Sequence, residues 1–482
     1  MPDLAPRLAG MWKSLTAASI VGSLIAAAVP VSTAAAAGTL DWKACKPGAV
    51  EQCATLTVPL DWSKPAGPTT NVYVAKVPAK DQKHKLGALF FNPGGPGGAG
   101  GSIFAAGLAD AVLPQYRDRY DLVSFDPRGT GSSSQLDCGP VLRRGVPVFP
   151  KSKAQYDALV ASSRATGEQC LKQHGDLMRN LDTRTVARDM DAIRAALGES
   201  KFNYIGLSYG SYLGTLYAQQ FPQRVGRMVL DGILDHKQGP LRLMLDEAKE
   251  MEAGFNRFAA WCTKDTSCAL HGQDVGAVWD ATVRKADKTP LTGLHGPVNG
   301  DVLRMALPTL LPLTSMVSDN WPVLATALAK AAKGDGTDFA NVSYVGDPET
   351  AYAAVSCMDL PGELRGYADA RARLALAKAV APRVGAAVEG WAITAACAGW
   401  PIPPSNPWGA TPVHGTPPIL ITSTLHDPST PIANARSLVR QIDNSRLLTA
   451  DVYGHTAYFN SACARDRIAD YLLDGRLPAT NC

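Results

Sequence analysis

Gly206-Leu207-Ser208-Tyr209-Gly210 is the stretch on which the reading of this chain turns. A short, mostly apolar run, Phe202 to Ile205, precedes it, and a helical pattern from Tyr212 to Gln220 follows. That order predicts a strand, a sharp turn and a helix, with Ser208 at the apex: a nucleophile elbow. The flanking glycines have a steric reason, because so tight a turn leaves no room for side chains on either side of the serine. A Gly-x-Ser-x-Gly string alone says little, since both residue types are common. Between a strand and a helix, with partners downstream, it says much more.

The partners follow in the order nucleophile, acid, base. Pro418 to Thr422 reads as a buried strand and leads to Leu425-His426-Asp427-Pro428. Leu447 to Val452 reads as another, followed by Tyr453-Gly454-His455-Thr456. Asp427 is therefore the expected acid and His455 the expected base, each just past the C-terminal end of a strand, where open α/β sheets place their sites. The chemistry needs these three types. A serine hydroxyl is a poor nucleophile until a base takes its proton. Histidine titrates near neutrality and can return that proton to the leaving group, and the aspartate fixes its tautomer and stabilises the imidazolium. His426 competes as base but sits one strand too early. Asp451 and Asp231 compete as acid.

Asn92-Pro93-Gly94-Gly95-Pro96-Gly97-Gly98-Ala99-Gly100 follows the apolar strand Ala88 to Phe91. Such a loop lets backbone N–H groups face a developing oxyanion, and Gly95 and Tyr209 are the expected donors. One donor of this kind typically contributes about 2.7–4 kcal/mol of transition-state stabilisation. A phosphate-binding reading fits poorly, because no Lys-Ser/Thr follows and prolines interrupt the run.

With these motifs in place, the chain resembles a known group. The Asn92–Gly98 loop resembles the His-Gly-Gly-Pro-Gly loop of prolyl aminopeptidases, with Asn92 in place of the histidine. Asp126-Pro127-Arg128-Gly129-Thr130-Gly131-Ser132 resembles the turn after the next strand in that group. The elbow, extended to Gly214, and the segment from about Pro417 to Cys482 resemble those of secreted tripeptidyl aminopeptidases of actinobacterial type. The resemblance covers most of the chain in order and is weakest in the middle. It implies an α/β-hydrolase fold, with a mostly parallel central sheet and an inserted helical cap. It also implies a serine exopeptidase that removes short peptides, tripeptides foremost, or single residues from free N-termini, without a cofactor. An aminopeptidase must hold a free ammonium with carboxylates, which in this group come from the cap. Glu349 and Asp359 are the expected carboxylates. Asp126 and Arg128 are expected to tie their turn to neighbouring loops rather than to act on substrate.

The 482 residues, 46% hydrophobic and 19% charged, suffice for a large core. The formal net charge of +4 comes without a long basic run interleaved with aromatics, so nucleic-acid binding is unsupported. Arg7 and Lys13, the apolar run Leu15 to Val29, and Ala34-Ala35-Ala36-Ala37 together read as a signal peptide over residues 1–37. A membrane anchor is disfavoured, because the apolar run is short of the ~20 residues a span needs. The reading is a secreted protein with no stable anchor. Ten cysteines fit export. None has Cys-x-x-Cys spacing, so no metal is expected. Sequence does not determine their connectivity; pairing of neighbours (45–53, 138–170, 262–268, 357–397 and 463–482) is the working expectation.

Strand-like and helix-like segments alternate from residue 38 to 235, which argues for a mostly parallel sheet covered on both faces. From 236 to 404 helical patterns dominate: Leu241 to Thr263, Ala277 to Lys288, Asp301 to Leu311, Trp321 to Lys333 and Tyr367 to Ala379. This segment reads as a cap, and 405–482 as the return to the core. The rival activity is a secreted carboxylesterase or lactonase using the same three residues. A catalytically silent binding protein is the rival of another class, against which the full set of residues argues. Epoxide hydrolases and dehalogenases, which need an aspartate at the elbow apex, are disfavoured by Ser208. The oligomeric state stays open.

Overall fold

The protein is described from a computed structural model covering residues 38–294, 296–312, 320–346 and 350–482. The expected signal peptide and Glu349 lie outside the described residues. Nine strands form one sheet: β1 (Lys43–Ala44), β2 (Gln52–Pro59), β3 (Thr69–Val77), β4 (Ala88–Asn92), β5 (Asp121–Phe125), β6 (Phe202–Leu207), β7 (Val225–Asp231), β8 (Ile419–His426) and β9 (Ser445–Tyr453). Their spatial order is β1-β2-β3-β5-β4-β6-β7-β8-β9. The β1, β2, β3 and β5 neighbours pair antiparallel, and every pair from β5 to β9 is parallel.

The sheet is buried on both faces, and the alternation of side chains along a strand explains how. Phe90, Tyr204, Met228, Leu230, Ile419 and Ile421 enter one core with the helices Thr183–Ala196 and Tyr209–Gln220. Their neighbours Leu89, Phe91, Ile205, Val229 and Leu420 enter the opposite core with Phe104 and the helix Ala462–Asp474. A third core belongs to the helices between β7 and β8, which run from Pro240–Lys264 to Glu389–Ala396. It also takes in Val141, Leu142, Val148 and Leu159, from the segment before the elbow. The helix expected over Asp301 to Leu311 is two short ones, Gly300–Arg304 and Leu307–Leu310. Pro308 lacks an N–H donor and fits only the opening turn of the second helix.

Asp126 and Arg128 hold loops together. Asp126 accepts from Ser102 N, Ser102 Oγ and Ser132 N. The Arg128 guanidinium, fully buried, meets both oxygens of Asp189 at 2.6 and 2.7 Å and donates to the carbonyls of Pro59, Leu60 and Asn180.

All ten cysteines fall into the five neighbour pairs, with Cα–Cα distances of 5.0–5.9 Å. Cys357–Cys397 joins the helix Thr350–Asp359 to the end of Glu389–Ala396. Its span of 40 residues corresponds to about 4 kcal/mol in the chain-entropy account. Replacing both cysteines by alanine should therefore lower the unfolding free energy by about 2–4 kcal/mol. Urea denaturation of the oxidised protein and the double variant measures it.

Candidate active site

Ser208, Asp427 and His455 each follow the C-terminal end of a parallel strand, namely β6, β8 and β9. Ser208 has φ 57° and ψ −125°, a left-handed conformation that is rare for a residue with a side chain. Close packing enforces it. A Cβ on Gly210 would come within 2.8 Å of Asn92 Oδ1, and one on Gly94 within 2.5 Å of Leu207 O. The glycine loop thus lies against the elbow with nothing between.

Asp427 is fully buried and its carboxylate is saturated. Oδ1 accepts the N–H of Ser429 and of Thr430, while Oδ2 accepts Thr430 Oγ1 and the N–H of Thr456. Both oxygens lie 3.0 Å from His455 Nδ1. A carboxylate on that side places the ring proton on Nδ1 and leaves the Nε2 lone pair available as a base. Burial of the His455 ring opposes its charged form, but Asp427, Glu389 and Asp231 outweigh burial and lift its pKa to about 8. Two of the three sequence rivals meet each other instead: His426 Nε2 lies 3.4 Å from Asp451 Oδ1, on a carboxylate that is largely exposed.

Gly95 and Tyr209 line the same space as Ser208. Tyr209 opens the elbow helix, where the N–H has no acceptor within the helix. A cleft of about 440 Å³ runs past Ser208, His455, Ser429, Tyr344, Tyr352 and Glu389. A smaller recess with about 20 Å³ of free volume also reaches Ser208. Leu234, Leu243, Leu360 and Ile393 supply apolar walls there, and Glu247 and Glu389 supply two carboxylates.

These glutamates were not singled out in the sequence. Glu247 Oε2 accepts the N–H of Gly390 at 2.7 Å. The hydroxyls of Tyr344 and Ser429 lie close enough to Glu389 to favour its charged form. Burial raises the pKa of both groups. Their mutual repulsion adds to the rise at Glu247, while His455 and the two hydroxyls oppose it at Glu389. Among the described residues, no lysine or arginine lines the recess. A signal for Glu247 did exist: it interrupts the apolar stripe Leu243, Met251, Phe255 on one face of its helix.

Asp359 is not brought to the recess. It lies fully buried beneath the elbow helix, accepting from Thr183 N, Thr183 Oγ1 and Asn406 Nδ2 at 3.0, 2.6 and 2.7 Å. The Tyr209 hydroxyl extends this chain to Thr183 Oγ1 at 2.5 Å. Burial lifts the Asp359 carboxyl to about 7, with Asp182 adding to the rise and Thr183 and Asn406 opposing it. Its hydrogen-bonding capacity is used in joining the cap to the core, which corrects the expectation of an ammonium ligand there.

Several known proteins are similar to this chain. The α/β-hydrolase-fold family profile matches residues 87–462. A tripeptidyl aminopeptidase of Streptomyces lividans is 32% identical, with 94% of this chain and 88% of that protein covered. Serine protease Hip1 of Mycobacterium tuberculosis is 31% identical, covering 88% and 86%. Carboxylesterase B of Mycobacterium tuberculosis is 31% identical, covering 100% and 95%.

The His455 environment sets the pH dependence of any reaction in which its neutral form is the base. With the folded pKa raised to about 8, kcat/KM on an uncharged nitrophenyl ester should climb with pH through that value and level off above it. A stopped-flow profile of the mature protein measures it. A midpoint near pH 6.5, the ordinary histidine value, contradicts the carboxylate cluster around His455.

Proposed function

This chain belongs to the α/β-hydrolase family, as a serine hydrolase, and we propose that it is a secreted exopeptidase releasing short peptides, tripeptides foremost, from free N-termini. The observation that carries this reading is the pair Glu247 and Glu389 in the recess at Ser208. Two carboxylates lining one narrow recess repel each other and lose hydration. A cation between them relieves both costs, and a peptide's N-terminal ammonium is such a cation. An ester substrate would gain nothing from the pair. The names of two relatives, tripeptidyl aminopeptidase and serine protease, point the same way. Five cysteine pairs at disulfide distance, with no free cysteine among the described residues, support export. No helix among the described residues is long and apolar enough to cross a membrane.

In this mechanism Ser208 Oγ attacks the scissile carbonyl while His455 Nε2 takes its proton. The amides of Gly95 and Tyr209 hold the oxyanion. The imidazolium, stabilised by Asp427, gives its proton to the departing amine. His455 then draws a proton from water, which attacks the acyl-enzyme and frees Ser208. The glutamate pair anchors the ammonium and fixes how many residues reach from it to Ser208. A second reading, a carboxylesterase, is favoured by one relative's name.

Release of aminomethylcoumarin separates the readings. Free Ala-Ala-Pro-coumarin should be cleaved by the mature protein and not by Ser208→Ala, with the N-succinyl form inert. Turnover of nitrophenyl esters alone selects the esterase. Glu247→Gln should raise KM for the free tripeptide roughly 10-fold or more, the scale of one charge-assisted hydrogen bond. It should change ester turnover far less. Equal losses on both substrates contradict ammonium binding. The free peptide should also show a bell-shaped pH profile, because its α-amino group loses its charge near pH 8.

A further inference from the structure

Asp231 is fully buried at the end of β7 and takes no part in the steps above. It touches both halves of the reacting pair. Its main-chain carbonyl accepts the N–H of Ser208 at 2.8 Å. Its carboxylate accepts the N–H of Ala457 at 2.9 Å and of Tyr458 at 2.8 Å, the first two residues of the short helix Ala457–Asn460. Between that helix and His455 stands Thr456, at φ 70°. The N–H of Thr456 goes to Asp427 Oδ2 at 3.1 Å. Three consecutive amides after His455 are therefore held by two buried carboxylates, and a strained residue persists when its surroundings over-determine it in this way. The ring itself rests on the adjoining backbone: a Cβ on Gly232 would lie 3.2 Å from His455 Cε1.

We infer that Asp231 is a positioning residue that sets the distance between Ser208 and His455, gripping the nucleophile through its main chain and the base loop through its side chain. Asp427 fixes the tautomer of the ring, whereas Asp231, besides adding to the negative field around it, fixes where the ring stands. A displacement of about 1 Å between reacting groups can cost 10²-fold in rate. Loss of the grip should thus appear in kcat for acylation and not in substrate affinity.

The test uses Asp231→Asn, whose NH₂ cannot accept the second amide, and Ala457→Pro. The latter deletes only the amide facing Oδ1, at a helix position that tolerates proline. It is also compatible with the ψ of 136° at Thr456. Active sites are counted by stoichiometric labelling with a fluorophosphonate, melting temperature is recorded, and kcat and KM are measured on a nitrophenyl ester per labelled site. The inference predicts that kcat per site falls roughly 10- to 100-fold in Asp231→Asn and less in Ala457→Pro, with KM within about twofold. Activity per labelled site within about twofold of the parent in Asp231→Asn overturns it, even if less folded protein is recovered, since Asp231 is then only a folding residue. If Asp231→Asn does not fold, an Ala457→Pro protein with undiminished kcat overturns it equally. A rise in KM with kcat unchanged in either variant also overturns it.

Discussion

Everything at this site depends on holding Ser208 in a left-handed turn. Its φ of 57° and ψ of −125° represent strain of order 1–3 kcal/mol for a residue with a side chain. The fold secures it from several sides. The serine N–H is tied to the Asp231 carbonyl, its own carbonyl accepts Ser211 Oγ and Ser211 N, and the glycine loop closes over it. Flanking glycines are then a packing requirement.

A second constraint is electrostatic. His455 is surrounded by Asp427, Glu389 and Asp231, so the ring is a stronger base than an isolated imidazole. The same carboxylates also stabilise its protonated form during the reaction. Glu389 faces two ways, toward Ser429 in the acid loop and into the recess that it lines with Glu247. In the proposed exopeptidase, ammonium recognition and base strength meet at that one side chain.

The residues legible in the sequence were those whose role is local. The elbow, Asp427 and His455 sit at strand ends with turn residues around them; the strands leading to them emerged too, although β8 runs on past Thr422 to His426 and the short β1 was not foreseen. Cysteine neighbours in sequence proved to be neighbours in space. The glutamate pair was hidden because the cap assembles it from afar: Glu247 and its partner amide at Gly390 stand 143 positions apart. The helices Thr350–Asp359 and Glu389–Ala396 also escaped notice. They are buried on nearly all sides and so show no amphipathic period. Asp359 misled for the complementary reason. A carboxylate in the cap looks like a ligand for a cation, and only the fold reveals that Thr183 and Asn406 occupy it.

The central claim is that a peptide acylates Ser208 efficiently only when its free ammonium fills the carboxylate recess. The most direct measurement is time-resolved intact mass spectrometry of the protein with an Ala-Ala-Pro diphenyl phosphonate, compared with its N-acetylated twin. Peptide mapping then locates the adduct. The account predicts one adduct per chain, on Ser208, forming far faster with the free amine than with the acetylated reagent. Equal rates for the two reagents, or an adduct on another residue, would contradict it.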